Sequence, residues 1–349
     1  MGVSMTLPIT PPFPPMEAKV VDKIPAGENW QYEPKWDGFR CLTFRDQTLI
    51  ELQSKSGQSL SRYFPELIDA VRKIRAKRFV LDGEIIIPTE EGISFDDLLQ
   101  RIHPAASRVK KLSESTPAQL LIFDLLVDEK GRSLLEKPLS QRRELLNEFA
   151  EKYLAPDGRV LLSPSVLDVR TARTWFARFG RGMDGVMAKR LDLPYLSGER
   201  TGMVKIKRIR TADCVVGGFR YASSGGLVGS LLLGLYNDEG LLDHVGFTSS
   251  LTMEEKKELT PRLKKLIKKP GFTGNAPGGP SRWSTKRTSE WQPLDPRLVV
   301  EVQYDHFDGG RFRHGTGLLR FRPDKAPRQC TFEQLQIKKG ISFSKLIKR

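Results

Sequence analysis

Tyr32-Glu33-Pro34-Lys35-Trp36-Asp37-Gly38-Phe39-Arg40 sets a lysine among an acid, a glycine and an arginine. These are the parts of a nucleophile site. The amine attacks, Asp37 offers oxygen to a metal ion, Gly38 lets backbone approach a ligand, and Arg40 grips an anion or a hydroxyl. An ordinary lysine, with a pKa of about 10.4, is protonated at neutral pH and cannot attack. The expectation is therefore that burial or nearby cations lower the pKa of Lys35.

Lys205 and Lys207, in Met203-Val-Lys-Ile-Lys-Arg208, are the candidate neighbours. Residues at i and i+2 of a strand share a face, and two ammonium groups on one face suit a triphosphate. A solvated basic strand explains the same pattern. Glu84 follows Asp82-Gly83 inside an apolar run, where a carboxylate needs a hydroxyl or a cation. Asp184 is a second acid ahead of an apolar stretch, and the two together suit Mg²⁺, which takes oxygen ligands. Taken singly, each is also an ordinary turn acid, because Asp-Gly is a common turn pair. Phe123, in Leu120-Leu-Ile-Phe-Asp-Leu-Leu-Val127, is a stacking platform for a purine or a plain core ring. No Gly-Lys dipeptide occurs, which excludes a Walker A loop, and no Gly-x-Gly-x-x-Gly stands in a Rossmann context. Phosphates would be held by side-chain cations.

The 349 residues suit two domains. The net charge of +15, from 57 basic and 42 acidic residues, points to a polyanionic partner, with nucleic acid ahead of a merely solvated basic surface. Cys41, Cys214 and Cys330 form no CxxC pair and read as ordinary reduced thiols of a cytoplasmic protein. The four histidines lack zinc-like spacing. No apolar run approaches the roughly 18 residues of a membrane span, and no export signal is expected.

Residues 1–28, rich in proline, read as an extended lead-in. Residues 29–209 alternate strands and helices. Arg78–Ile87 reads as a strand broken at Asp82-Gly83-Glu84, Leu120–Val127 as a buried strand with one odd charge, Ser140–Leu154 as a helix capped by Ser140, and Thr171–Phe179 as a shorter helix. Beyond a boundary near 208–213 short strands and glycines dominate. A helix with a Thr252–Glu255 capping box runs to Lys268, and a Gly/Pro/Ser-rich loop at 270–293 carries Lys286 and Arg287. Several short strands and one helix over 210–349 suit a small OB-type barrel, making the whole chain α+β.

In order, Lys35-Trp-Asp-Gly-Phe-Arg40, Ser54-Lys-Ser-Gly57, Leu81-Asp-Gly-Glu84, Leu121-Ile-Phe-Asp124, Asp184-Gly-Val-Met-Ala-Lys189, Lys205-Ile-Lys207 and Arg322-Pro-Asp-Lys325 resemble the motif series of the covalent nucleotidyltransferases. The match is closest to ATP-dependent DNA ligases and looks most like their small bacterial ligase C type. The resemblance spans residues 30–326 and leaves no room for a DNA-encircling domain ahead of Lys35. It implies an adenylation domain followed by an OB barrel, with ATP and Mg²⁺ (Mn²⁺ substituting) as cofactors. The implied partner is nicked duplex DNA, bound by a monomer at the bacterial nucleoid, beside a repair polymerase or an end-binding protein. It also implies roles. Lys35 becomes AMP-linked, Glu33 and Phe123 address adenine, Arg40 and Glu84 hold the ribose region, and Glu84 and Asp184 take the metal. Lys205 and Lys207 contact the phosphates, Lys55 binds ATP or AMP, and Arg322, Asp324 and Lys325 orient the departing pyrophosphate. Two positions depart from the usual pattern: Asp184 stands where many relatives have Glu, and Lys55 where the family usually has Arg. The rival readings are an RNA ligase or capping-type guanylyltransferase and, from another class, a non-catalytic nucleic-acid-binding module.

Overall fold

Lys19–Val20 (β1), Trp30–Trp36 (β2) and Phe39–Asp46 (β3) come first, and the lysine run straddles the last two. The computed structural model describes residues 4–90, 92–178, 183–223, 225–278, 290–336 and 343–347. It divides into one unit of residues 1–208 with 337–349 and a second of residues 209–336.

The first unit continues with Leu49–Ser54 (β4), Arg78–Ile86 (β5), Pro88–Thr89 (β6), Gly92–Ile93 (β7), Gln119–Val127 (β8), Val160–Leu162 (β9), Met183–Arg190 (β10) and Met203–Lys207 (β11). Two sheets result, of order β1-β11-β10-β2 and β4-β3-β5-β8-β9. Only Asp37 and Gly38 separate β2 from β3, yet the two strands lie in different sheets. That switch of sheets is tight. A Cβ on Gly38 would collide with the Ile85 carbonyl and stand 2.9 Å from the Glu84 side chain. The glycine answers the approach of β5, whereas the sequence reading had assigned it to a ligand.

Strand β8 is central and buried at every position after Gln119, which is why it reads as a continuous apolar run. Its odd charge, Asp124, is paired with Arg142 at 2.9 and 3.0 Å. Arg142 comes from the helix Leu139–Tyr153, whose Leu146 and Phe149 bury one face against the sheet. That helix starts after Pro138, so Ser140 sits inside it and does not cap it. The next helix, Val169–Arg178, is capped by Asp168, which accepts from the Thr171 amide at 2.9 Å. β5 is unbroken through Asp82-Gly83-Glu84, and only its ladder with β8 shifts register there. The proline-rich start, expected as an extended lead-in, packs into the first unit: Leu7, Ile9 and Met16 are buried with Leu42, Phe44 and Val80, and β1 pairs with β11.

The second unit contains Arg210–Tyr221 (β12), Val228–Tyr236 (β13), Leu242–Thr248 (β14), Gln292–Pro293 (β15), Val299–Tyr304 (β16), Phe307–Asp308 (β17), Arg311–Phe312 (β18) and Gly317–Phe321 (β19). The antiparallel order β14-β13-β12-β16-β19 curls back on itself. Thr316, just ahead of β19, donates its amide to the Phe247 carbonyl of β14 at 3.0 Å, and the Thr248 hydroxyl returns a bond to Thr316 at 2.8 Å. This is the OB-type barrel read from the strand spacing. The helix Met253–Lys265 carries the expected capping box at Thr252 and buries Leu259 and Leu263.

Residues 343–347 do not belong to the barrel, to which 210–349 had been assigned. They form a short helix whose Phe343 meets Trp36 edge-on at 5.7 Å and whose Leu346 is buried in the first unit. Lys286 and Arg287 lie outside the described residues. The three cysteines are free and buried. Among the described residues no helix is long and apolar enough to cross a membrane.

Candidate active site

The two sheets of the first unit wall a cleft of about 890 Å³, and the lysine run forms its floor. Lys35, at the end of β2, pairs in register with Gly185 of β10. Its Nζ is 2.5 Å from Asp184 Oδ2. Gly185 has φ +157° and a Cβ there would strike the Ile206 carbonyl, so a side chain at this position would push β10 off β11. Burial works to lower the Lys35 pKa, but the carboxylates of Asp184, Glu84 and Asp37 outweigh it and hold the amine above its ordinary value. This reverses the expected direction. The sequence reading weighed Lys205 and Lys207, whereas the groups that dominate are acids. Lys205 does line the cleft, and burial followed by the charges of Lys207 and Lys35 lowers its own pKa. Lys207 is not among the cleft-lining residues.

Glu84 also lines the cleft. Burial pushes its carboxyl up to about 7, although Arg40 and Lys35 pull the other way. Phe123 is buried with the Arg40 guanidinium 4.7 Å and the Lys189 ammonium 4.2 Å from its ring centroid. Glu33 is 1% exposed, accepts from Gln31 Nε2 at 2.8 Å and is paired with Lys189 at 2.8 Å. Lys55 stands at the rim, 3.2 Å from Glu17 and mostly exposed. The remaining three predicted residues lie in the second unit. Asp213 binds Arg322 Nη1 at 3.0 Å and Lys325 Nζ at 2.7 Å, while Asp324 takes the other side of the Arg322 guanidinium at 2.8 Å.

The profile described as "ATP dependent DNA ligase domain" matches residues 15–207, and "ATP dependent DNA ligase C terminal region" matches 224–325. The chain belongs to the ATP-dependent DNA ligases. It is 45% identical to DNA ligase C1 of Mycolicibacterium smegmatis, over 95% of this chain and 96% of that one. It is 41% identical to DNA ligase C of Mycobacterium tuberculosis, over 98% and 99%. The solved structure described as "DNA binding with a minimal scaffold: Structure-function analysis of Lig E DNA ligases" shares the fold. Its TM-score is 0.53 at 15% identity, over 88% of this ligase and 99% of that chain.

Three residues of the ligase escaped the sequence reading. Asp82 reads in the sequence as part of a break in its strand but is fully buried, taking both Arg40 Nε at 2.5 Å and Nη2 at 2.6 Å. Arg40 therefore presents a guanidinium already fixed by its own sheet. Lys189 was quoted only as the end of a motif. Asp213 carried no local signal, since its partners lie more than 100 positions away.

Proposed function

We propose that this ligase seals breaks bearing a 5′-phosphate and a 3′-hydroxyl in duplex DNA, with ATP, through an adenylate carried on Lys35. The observation that carries the reading is the Lys35 amine, held 2.5 Å from Asp184 in a cleft that also presents Phe123, Glu84, Arg40 and Lys205. Lys35 gives up a proton toward Asp184 and attacks the α-phosphorus, and pyrophosphate departs. The AMP passes to the 5′-phosphate of the break, and the 3′-hydroxyl then displaces it. Splitting one condensation into successive transfers lowers each barrier, and positioning and charge neutralisation supply most of the rate. Phe123 stacks on the base and Glu33 reads its edge. Arg40 borders the sugar, Lys205 and Lys207 contact the phosphates, Lys55 binds the nucleotide from the rim, and Arg322, Asp324 and Lys325 orient the departing pyrophosphate. The net charge of +15 supports a polyanionic substrate. We place the enzyme in the bacterial cytoplasm at the nucleoid, as a monomer beside a repair polymerase or an end-binding protein.

Glu84, which lines the cleft, and Asp184, beside the Lys35 amine, are carboxylates of the kind that suits a divalent cation of the Mg²⁺ type. When bound, such an ion offsets triphosphate charge and weakens the hold of the carboxylates on the Lys35 proton. The metal-free protein carries a measurable trace of this arrangement. Because burial raises the Glu84 pKa to about 7, the fold favours its protonated form. The cost of ionising it is absent below the unfolded glutamate value of about 4.3 and complete once pH exceeds the folded value. In chelator, Glu84→Gln should melt a few degrees above the unsubstituted protein at pH 8 and level with it at pH 4.5. An equal difference at both pH values would contradict the placement.

The activity is tested by incubation with α-labelled ATP or GTP and Mg²⁺, followed by denaturation. One AMP per chain should remain bound from ATP and none from GTP. Retention of GMP alone would replace this reading with a capping-type activity.

A further inference from the structure

We infer that Lys189 confines the ligase to adenine by fixing Glu33 as a hydrogen-bond acceptor, a positioning role at the base-reading end of the cleft. The inference rests on the proposal that the base is read by Glu33 and stacked on Phe123.

The geometry starts from two neighbouring strands. Lys189 of β10 pairs in register with Gln31 of β2, and Met187 pairs with Glu33, so Gln31, Glu33 and Lys189 share one stretch of sheet. Glu33 is 1% and Lys189 6% exposed, which makes this a buried ion pair in the wall of an open cleft. Glu33 Oε2 meets Lys189 Nζ at 2.8 Å, and Oε1 accepts from Gln31 Nε2 at 2.8 Å. An ammonium group and an amide NH₂ only donate. Each oxygen of Glu33 therefore already accepts from a donor. As the carboxylate of this ion pair, Glu33 has remaining lone pairs that accept and never donate.

That restriction selects a base. Adenine presents an amino group at position 6, a donor, and a purine with a 6-oxo group presents an acceptor. A carboxylate that cannot donate bonds to the first and repels the second. Without the Lys189 charge, Glu33 is a buried acid lacking its counter-ion, and burial favours uptake of a proton. The resulting O–H donates to a 6-oxo group, and the selection is lost. The other cation acting on Glu33 is Arg143, whose Nη2 donates to the Ser163 carbonyl at 2.8 Å. Its Nε and Nη1 have no hydrogen-bond partner among the described residues, which leaves Oε2 to Lys189. The Lys189 ammonium also lies 4.2 Å from the Phe123 ring centroid, so one cation ties the reading carboxylate to the stacking platform.

The experiment compares ATP with ITP, which differ at position 6 and in the hydrogen on N1, and not at position 2. The second-order rate of nucleotidyl–protein formation is measured for the unsubstituted ligase, Lys189→Met, Lys189→Arg and Glu33→Gln. We expect a preference for ATP of at least ~10²-fold in the unsubstituted protein. Lys189→Met should narrow it by on the order of tenfold, and Lys189→Arg should keep it within about threefold. If Lys189→Met fails to fold, Lys189→Gln replaces it, removing the charge while filling the space. An uncharged variant that reacts more slowly with both nucleotides at an unchanged ratio would show that Lys189 only supports the fold, and would overturn the inference. If Glu33→Gln also leaves the ratio unchanged, the fault lies instead with the placement of the base at Glu33.

Discussion

Lys35→Ala should abolish the nucleotide–protein adduct while leaving a folded protein that still binds nicked DNA. The loss is complete because the other lysines that line the cleft are held away from that position, Lys189 by Glu33 and Lys55 by Glu17. Lys205 lines the same cleft on a strand two positions from Lys207, but it stands in register with Met187, away from the Gly185 position that faces Lys35. Lys35→Arg should be equally inactive, since a guanidinium stays protonated and has no lone pair to offer the α-phosphorus. The fold should survive, because Lys35 sits at the cleft surface with its side chain 18% exposed and fills no core position. The sharper measurement is the sealing of a nick that already carries AMP on its 5′-phosphate. That step needs positioning of the 3′-hydroxyl and no free lysine, so Lys35→Ala should retain it while losing at least ~10³-fold in sealing from ATP. A residual adduct in Lys35→Ala, detected by mass, would place the nucleophile elsewhere.

The positions of the site residues along the strands were readable because each motif combines a charge with a locally apolar run. Lys35, Glu84 and Phe123 sit on β2, β5 and β8, and the arrangement of the two sheets brings them to one cleft. What was not readable is the pairing of charges across strands. Asp82 and Arg40 are 42 positions apart, and Asp-Gly in isolation signals a turn, so the buried pair looked like a loop. The same blindness reversed the expected Lys35 pKa. Sequence order puts Lys205 and Lys207 in view, but the strand switch at Asp37-Gly38 and the β2–β10 register bring Asp184 and Glu84 closer in effect. The segment at 343–347 was assigned to the barrel by position alone. Its return to Trp36 depends on a tertiary contact that a five-residue helix does not announce. Barrel and capping-box predictions succeeded because strand spacing and the Thr252–Glu255 pair are local signals.

Asp82→Ala should be the most destabilising single change in the first unit, although Asp82 touches no ligand in the proposed reaction. Its carboxylate is 0% exposed and takes three donors: Arg40 Nε at 2.5 Å, Arg40 Nη2 at 2.6 Å and the Tyr195 hydroxyl at 2.7 Å. Tyr195 in turn accepts from the Met16 amide at 3.0 Å, so the network fastens the proline-rich segment to the sheet. Burial opposes the charge on Arg40, and Asp82 more than offsets it, holding the guanidinium above its usual range. Truncation leaves that guanidinium and a phenol buried without their acceptor. Breaking a buried pair in this way costs roughly 3–5 kcal/mol. For a unit of this size that corresponds to a fall in Tm on the order of 10 °C. Adduct formation should fall as well, because the Arg40 guanidinium stands 4.7 Å from the Phe123 ring and moves once released. Asp82→Asn keeps acceptor geometry on one side and should lie between the two. The charge origin of the loss is separable from simple packing. Joining Asp82→Leu with Arg40→Met removes both charges, and should restore much of the Tm lost by Asp82→Ala while leaving adduct formation impaired. A double variant no more stable than Asp82→Ala would mean that shape at this position, and not an unpaired charge, sets the cost.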